Sequence, residues 1–172
     1  TIGLHCLHAE DTIVVLAYVL QEILRPGEID FSLWGILYRT ATTRSIGRSG
    51  DSNNEPVCVQ KLVNKMPQAF GASNLFGGSR SGNGESLVVA TEMSGRDADE
   101  DMDTCTFTVY KVTQAGFNIV HNIHVDWFVE AGGVVDVSVS TCGQLVSFRN
   151  RVSEYHEDPE IWTIYDLRSS GG

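Results

Sequence analysis

A chain of 172 residues with 12 basic and 22 acidic side chains, formal charge −10, repels a phosphate backbone. No Lys/Arg cluster interleaved with aromatic residues offsets that repulsion, which argues against direct nucleic-acid binding. A content of 42% hydrophobic and 20% charged residues excludes wholesale disorder and fits one folded domain over residues 1–172, and seventeen glycines against four prolines suit a β-rich chain with many tight turns.

In chain order, the first strand is expected at Ile2–Leu7. Asp11-Thr12 followed by IVVLAYVLQEIL admits two readings: a helix capped by Asp11 and stopped at Arg25-Pro26-Gly27, or a strand. The β-branched Ile13, Val14, Val15 and Val19 favour a strand through Val19, with Leu20–Leu24 as a turn or short helical loop. The apolar run Ile13–Leu20 is too short to cross a bilayer, and Gln21-Glu22 ends it, so no membrane partner is expected. A third strand follows at Phe31–Thr40, a loop at Thr42–Glu55 and a fourth strand at Val57–Val63.

The next unit is expected to open with a strand near Ala69–Phe76. A loop at Gly77–Gly84 leads to a strand at Ser86–Thr91, and a loop at Gly95–Asp103 leads to strands at Phe107–Thr113 and Phe117–Val125. Alternation over Thr106–Tyr110 puts Phe107 and Val109 on a buried face with polar neighbours opposite. The last unit has strands at Val134–Ser140, Leu145–Phe148 and Ile161–Leu167 and no fourth strand. Between its first two strands stands Ser140-Thr141-Cys142-Gly143, read as a two-residue corner in which Gly143 supplies the positive φ that a hairpin turn demands.

The third strands, Phe31–Thr40, Phe107–Thr113 and Ile161–Leu167, are alike, and align on Tyr38, Tyr110 and Tyr165. In the last unit the corner at Ser140–Gly143, the strand Gln144–Phe148 and the closing Tyr165-Asp166 stand where a WD-repeat blade has its Asp-Gly corner, buried second strand and Trp-Asp. The chain therefore resembles a WD-repeat β-propeller, without the Gly-His dipeptide that opens many such repeats. The resemblance implies an all-β fold of antiparallel sheet repeats, a partial β-propeller with about three blades at 1–66, 67–128 and 129–172. A β-sandwich or barrel is the alternative. Rings of this kind close with four to eight blades, so the rest would come from a longer parent chain, a partner subunit or a second copy. A first residue of Thr1 fits a processed product or fragment.

Chemistry-bearing candidates are few. Carboxylates at Asp97, Asp99, Asp101 and Asp103 alternate, but counting from Asp97 the positions where a helical calcium loop needs Gly and Glu hold Met102 and Thr108. That stretch, like Glu154–Glu160, is expected to be an exposed acidic connection. His121 and His124, three apart in a strand, fall on opposite faces and cannot ligate one metal together. His8 is two residues from Cys6 and shares its face. Cys6, Cys58, Cys105 and Cys142 have no metal-ligand spacing and read as buried free thiols on four different elements. The glycines of 71–84 lack the Lys-Ser/Thr of a phosphate cradle, and neither a G-x-S-x-G nor an H-E-x-x-H motif occurs. Accordingly no catalytic, cofactor-binding or metal residue is assigned and no cofactor is expected.

Three classes of function remain: a protein-interaction scaffold that meets its partner through the loops of one sheet rim; a carbohydrate- or ligand-binding domain with Trp34, Trp127 or Trp162 exposed; and an enzyme whose site forms only in the full fold. The missing motifs favour the scaffold over the enzyme, with a protein partner. The absence of an N-x-Ser/Thr acceptor favours an intracellular setting, cytoplasmic or nuclear.

Overall fold

Short runs of β-branched and aromatic residues with a two-residue period bury their apolar side by pairing into sheets, and this chain does so throughout. A computed structural model describes residues 3–9, 11–25, 28–40, 55–66, 78–94, 102–128, 136–150 and 161–168. Among them are eleven strands and no helix: β1 (Gly3–Ala9), β2 (Thr12–Arg25), β3 (Glu28–Arg39), β4 (Cys58–Met66), β5 (Gly78–Arg80), β6 (Ser86–Ser94), β7 (Met102–Thr113), β8 (Gly116–Phe128), β9 (Asp136–Val139), β10 (Leu145–Asn150) and β11 (Ile161–Asp166).

The strands form three antiparallel meanders, β1-β2-β3-β4, β5-β6-β7-β8 and β9-β10-β11, none of which closes into a barrel. Contacts of β1 with β5, β5 with β9, and β4 with β8 stack the second sheet between the other two. One core runs through the stack. It takes Val14, Leu16, Tyr18, Leu33 and Leu37 from the first sheet, Leu87–Ala90, Phe107, Val109 and Phe117 from the second, and Val139, Val146 and Phe148 from the third. The Phe107 and Phe148 rings meet at 4.7 Å, and Phe148 meets Tyr165 edge-on at 5.6 Å.

Most expected strands lie within observed ones, and the departures have physical causes. Leu20–Leu24 is strand rather than turn, because β2 and β3 stay paired as far as Arg25 and Glu28, with register shifts after Leu20 and Ile23. The segment expected as a loop at Gly77–Gly84 contains β5, held so close to the first sheet that a Cβ on Gly78 would lie 2.7 Å from Leu16 Cδ1. The strand expected at Ala69–Phe76 lies outside the described residues, as do Asp97–Asp101 and Glu154–Glu160. Met102 and Asp103, expected in the acidic loop, already pair with Phe128 and Trp127 in the β7–β8 ladder. Phe107 and Val109 are buried as expected, but so are Thr106, Thr108 and Tyr110 on the opposite face, because β7 is covered on both sides.

Candidate interaction surface

At one end of the stack the hairpin turns rest on one another. Val139 and Leu145 flank the third of them. There Ser140 N–H donates to Leu145 O, Gly143 N–H donates to Ser140 O, and Ser140 Oγ accepts from the N–H groups of Gln144 and Leu145. The connection from β9 to β10 is thus four residues beyond Ser140 rather than the two-residue corner expected, although Gly143 does hold a positive φ, +74°. A serine side chain in place of the flanking ladder makes the longer turn possible.

The turn after β5 repeats this arrangement 59 residues earlier, Ser81 to Ser140 and Gly84 to Gly143. Ser81 N–H donates to Ser86 O, Gly84 N–H donates to Ser81 O, Ser81 Oγ accepts from Ser86 N–H, and Gly84 has φ +75°. The shared Ser-x-x-Gly is the one signal in the sequence that would have located this second turn and the short strand before it. The two turns interlock: Asn83 N–H donates to Thr141 O at 3.0 Å, Asn83 Nδ2 to Cys142 O at 3.4 Å, and Ser86 Oγ to Gly143 O at 3.3 Å.

Arg80 ties the second turn to the first hairpin. Its guanidinium donates to Gly84 O, to Thr12 O at 3.2 Å, to Thr12 Oγ1 at 2.7 Å and to Leu7 O at 3.4 Å. Burial lowers the guanidinium's pKa and the nearby Asp11 carboxylate opposes that shift. At the same end Asp166 is held down to about 2 by hydrogen bonds from Arg168, whose Nη2 lies 2.6 Å from Asp166 Oδ2. The amides of the two turns and the Asp166 carboxylate are thus bonded within the rim, which holds it rigid.

The clefts between sheets are polar on one side of the second sheet. Thr91 and Thr108 share a 2.7 Å hydroxyl contact, Thr108 Oγ1 donates to Asn122 Oδ1 at 3.0 Å, and Thr106 Oγ1 lies 3.0 Å from His124 Nδ1. Tyr110 hydroxyl reaches across to Leu62 O at 3.4 Å. The threonine file thus satisfies its polar groups across β6, β7 and β8 of the second sheet, and Tyr110 alone of these groups bonds to the first sheet. Sequence alternation placed Thr106 and Thr108 on the face opposite Phe107 and Val109, without showing that this face too is buried. On the far side, β8 and β11 border a cleft of about 620 Å³ lined by His121, Ile123, His124, Ile164 and Tyr165.

His121 pairs with Val109 and His124 with Thr106, which puts the two histidines on opposite faces of β8 as expected. Cys6 and His8 share a face of β1, opposite Val15 and Ile13, and both are exposed. All four cysteines are free thiols, but only Cys105 is buried; Cys58 is half-buried, and Cys6 and Cys142 face solvent. Burial pushes the Cys105 thiol up to about 12, whereas hydrogen bonds from Ser140 and Gln144 lower that of Cys142. Among the described residues no three His, Cys, Asp or Glu side chains gather as metal ligands, and no helix is long and apolar enough to cross a membrane.

The tryptophans separate. Trp34 is half-buried, donates to Ser32 Oγ at 3.0 Å and lies under Lys61 Nζ at 5.1 Å. Trp162 is 57% exposed, with Arg149 Cζ 6.0 Å from its ring. The side chain of Trp127 lies outside the described residues. On the outer face of the third sheet Trp162 joins Leu145 and Ile164, and Leu4 and Val59 are exposed on the first sheet. Comparison with family models, curated proteins and solved structures returns no match.

Proposed function

We propose that this chain is a protein-interaction module of the β-propeller type, related to WD-repeat proteins, that is completed by or docks onto a partner chain. The observation that carries the reading is the outer face of the third sheet, where Leu145, Trp162 and Ile164 stand exposed together on one side of β10 and β11; Leu4 and Val59 on the first sheet and Ile119 and Val120 on β8 are the other large apolar side chains exposed among the described residues. Exposed apolar groups clustered on one face mark a surface that meets another protein. Two meanders of four strands with β1, β5 and β9 in contact along one side are what blades require, and Tyr38, Tyr110 and Tyr165 each sit on a third strand. Four free thiols support an intracellular setting.

A variant carrying L145S, W162S and I164S should melt within a few degrees of the wild type and lose the proteins that copurify with it from cells. Equal recovery of the same proteins by both forms would remove the basis for this function. Exposed Trp162 also supports a sugar-stacking reading; binding on a glycan array that W162A abolishes would put that reading first.

A further inference from the structure

The first two sheets each carry a fourth strand, β4 and β8, beyond their third; in the third sheet β11 holds the third place, and among the described residues nothing pairs with its other side. Strands β4 and β8 touch, forming an outer layer of the stack. The next place in that layer, beside β11 and against β8, is the 620 Å³ cleft bordered by His121, Ile123 and Tyr165.

The edge itself is fit for pairing. Leu167 N–H donates to Gln144 O, which sets the phase of the ladder: in an antiparallel pair every second residue turns its N–H and C=O to the partner. Tyr165 and Thr163 therefore bond to β10, and Trp162 and Ile164 turn their backbone groups to the open side. Proteins guard such edges with lysine, proline or bulges. Strand β4 carries Lys61 and two register shifts against β3, and β8 is bulged near Val120, whereas β11 (IWTIYD) has neither lysine nor proline and pairs with β10 over six residues without a shift.

We infer that the open edge of β11 accepts an extended segment of a partner polypeptide as the fourth strand of the third sheet. This rests on the interaction-module reading above and names how the partner binds. The added strand runs antiparallel to β11, as β4 and β8 run to β3 and β7. Its alternate side chains enter the cleft against His121, Ile123 and Tyr165, so small and medium apolar residues at every second position fit. The formal charge of −10 favours a segment that is neutral or basic.

The test is amide hydrogen exchange, read residue by residue by NMR, with a synthetic peptide of alternating valine and threonine flanked by lysines. In the free protein the Trp162 and Ile164 amides should exchange fast and those of Thr163 and Tyr165 slowly; saturating peptide should slow the first pair by about tenfold or more. The same peptide N-methylated at alternate residues should have no effect. Ile164→Pro, which removes an N–H that makes no bond to β10, should abolish the peptide's protection of Trp162 with little change in melting temperature. Slow Trp162 and Ile164 amides in the free protein, unchanged rates with peptide, or equal protection by the N-methylated peptide would each overturn the inference. If the rates do not change but the L145S/W162S/I164S variant still loses its copurifying proteins, strand addition is refuted and the interaction module stands.

Discussion

The second and third sheets are built from the same kind of strand and differ in what covers them. Strand β7 is buried on both faces, with Phe107 packed on Phe148 to one side, and Thr106, Thr108 and Tyr110 buried on the other, where the Tyr110 hydroxyl donates to Leu62 O of β4. Strand β11 has no fully buried residue among those described: Tyr165 is half-buried against Phe148, and Trp162 and Ile164 on the other face are 57% and 67% exposed. Apolar side chains therefore hold the fold together in β7 and are left exposed in β11, and a residue's place in the stack, more than its type, decides which role it plays.

Substitutions at paired positions break this contrast most sharply. Phe107→Ala or Phe148→Ala removes a ring from the joint between the two sheets and should cost about 3–5 kcal/mol in denaturant unfolding. Ile164→Ser, of the same apolar class but outside the stack, should stay within about 0.5 kcal/mol of the wild type. Equal losses at the two places would mean that the third sheet's outer face is covered.

A smaller effect is expected at the rim. Arg80→Ala leaves carbonyls of Leu7, Thr12 and Gly84 without their donor and should cost about 2–3 kcal/mol. Gly143→Ala forces a Cβ into a left-handed backbone and against Ser86 Oγ, for a loss of roughly 1–2 kcal/mol. Thr141→Ala, exposed on the same turn, should change little and so separates turn geometry from surface chemistry.

How far the sequence foretold this divides along the same line. Ten of the strands and the buried Phe107 and Val109 were legible from two-residue alternation, because β-branched runs leave few other ways to bury apolar surface. The short β5 was not: Gly78 gives no apolar signal, since its role is to let two sheets approach. Nor did alternation reveal that Thr106 and Thr108 are buried, which depends on β4, far away in sequence. The exposed Trp162 was named among the candidates, but its apolar flanks argued equally for packing; only the stack order shows which face of β11 is left open.

Stability also depends on pH. Burial pushes Tyr18, Tyr110 and Cys105 up to about 12, so these groups lose their protons earlier in the unfolded chain than in the folded one. Their contribution is complete below the ordinary thiol and phenol values and is lost as pH rises from about 9 toward 12. Cys105→Ser should remove the lower part of that decline, and a flat stability curve from pH 8 to 11 would contradict the burial of the second sheet.

Light scattering coupled to size-exclusion chromatography, run over a range of concentrations, tests the claim that the third sheet ends the stack on an uncovered apolar face. Without its partner the wild type should show a mass above the 18.8 kDa of one chain that rises with concentration, and L145S/W162S/I164S should return it to that value. A wild type that remains a compact monomer at every concentration would mean that the sheets cover themselves, and the propeller reading would have to be abandoned.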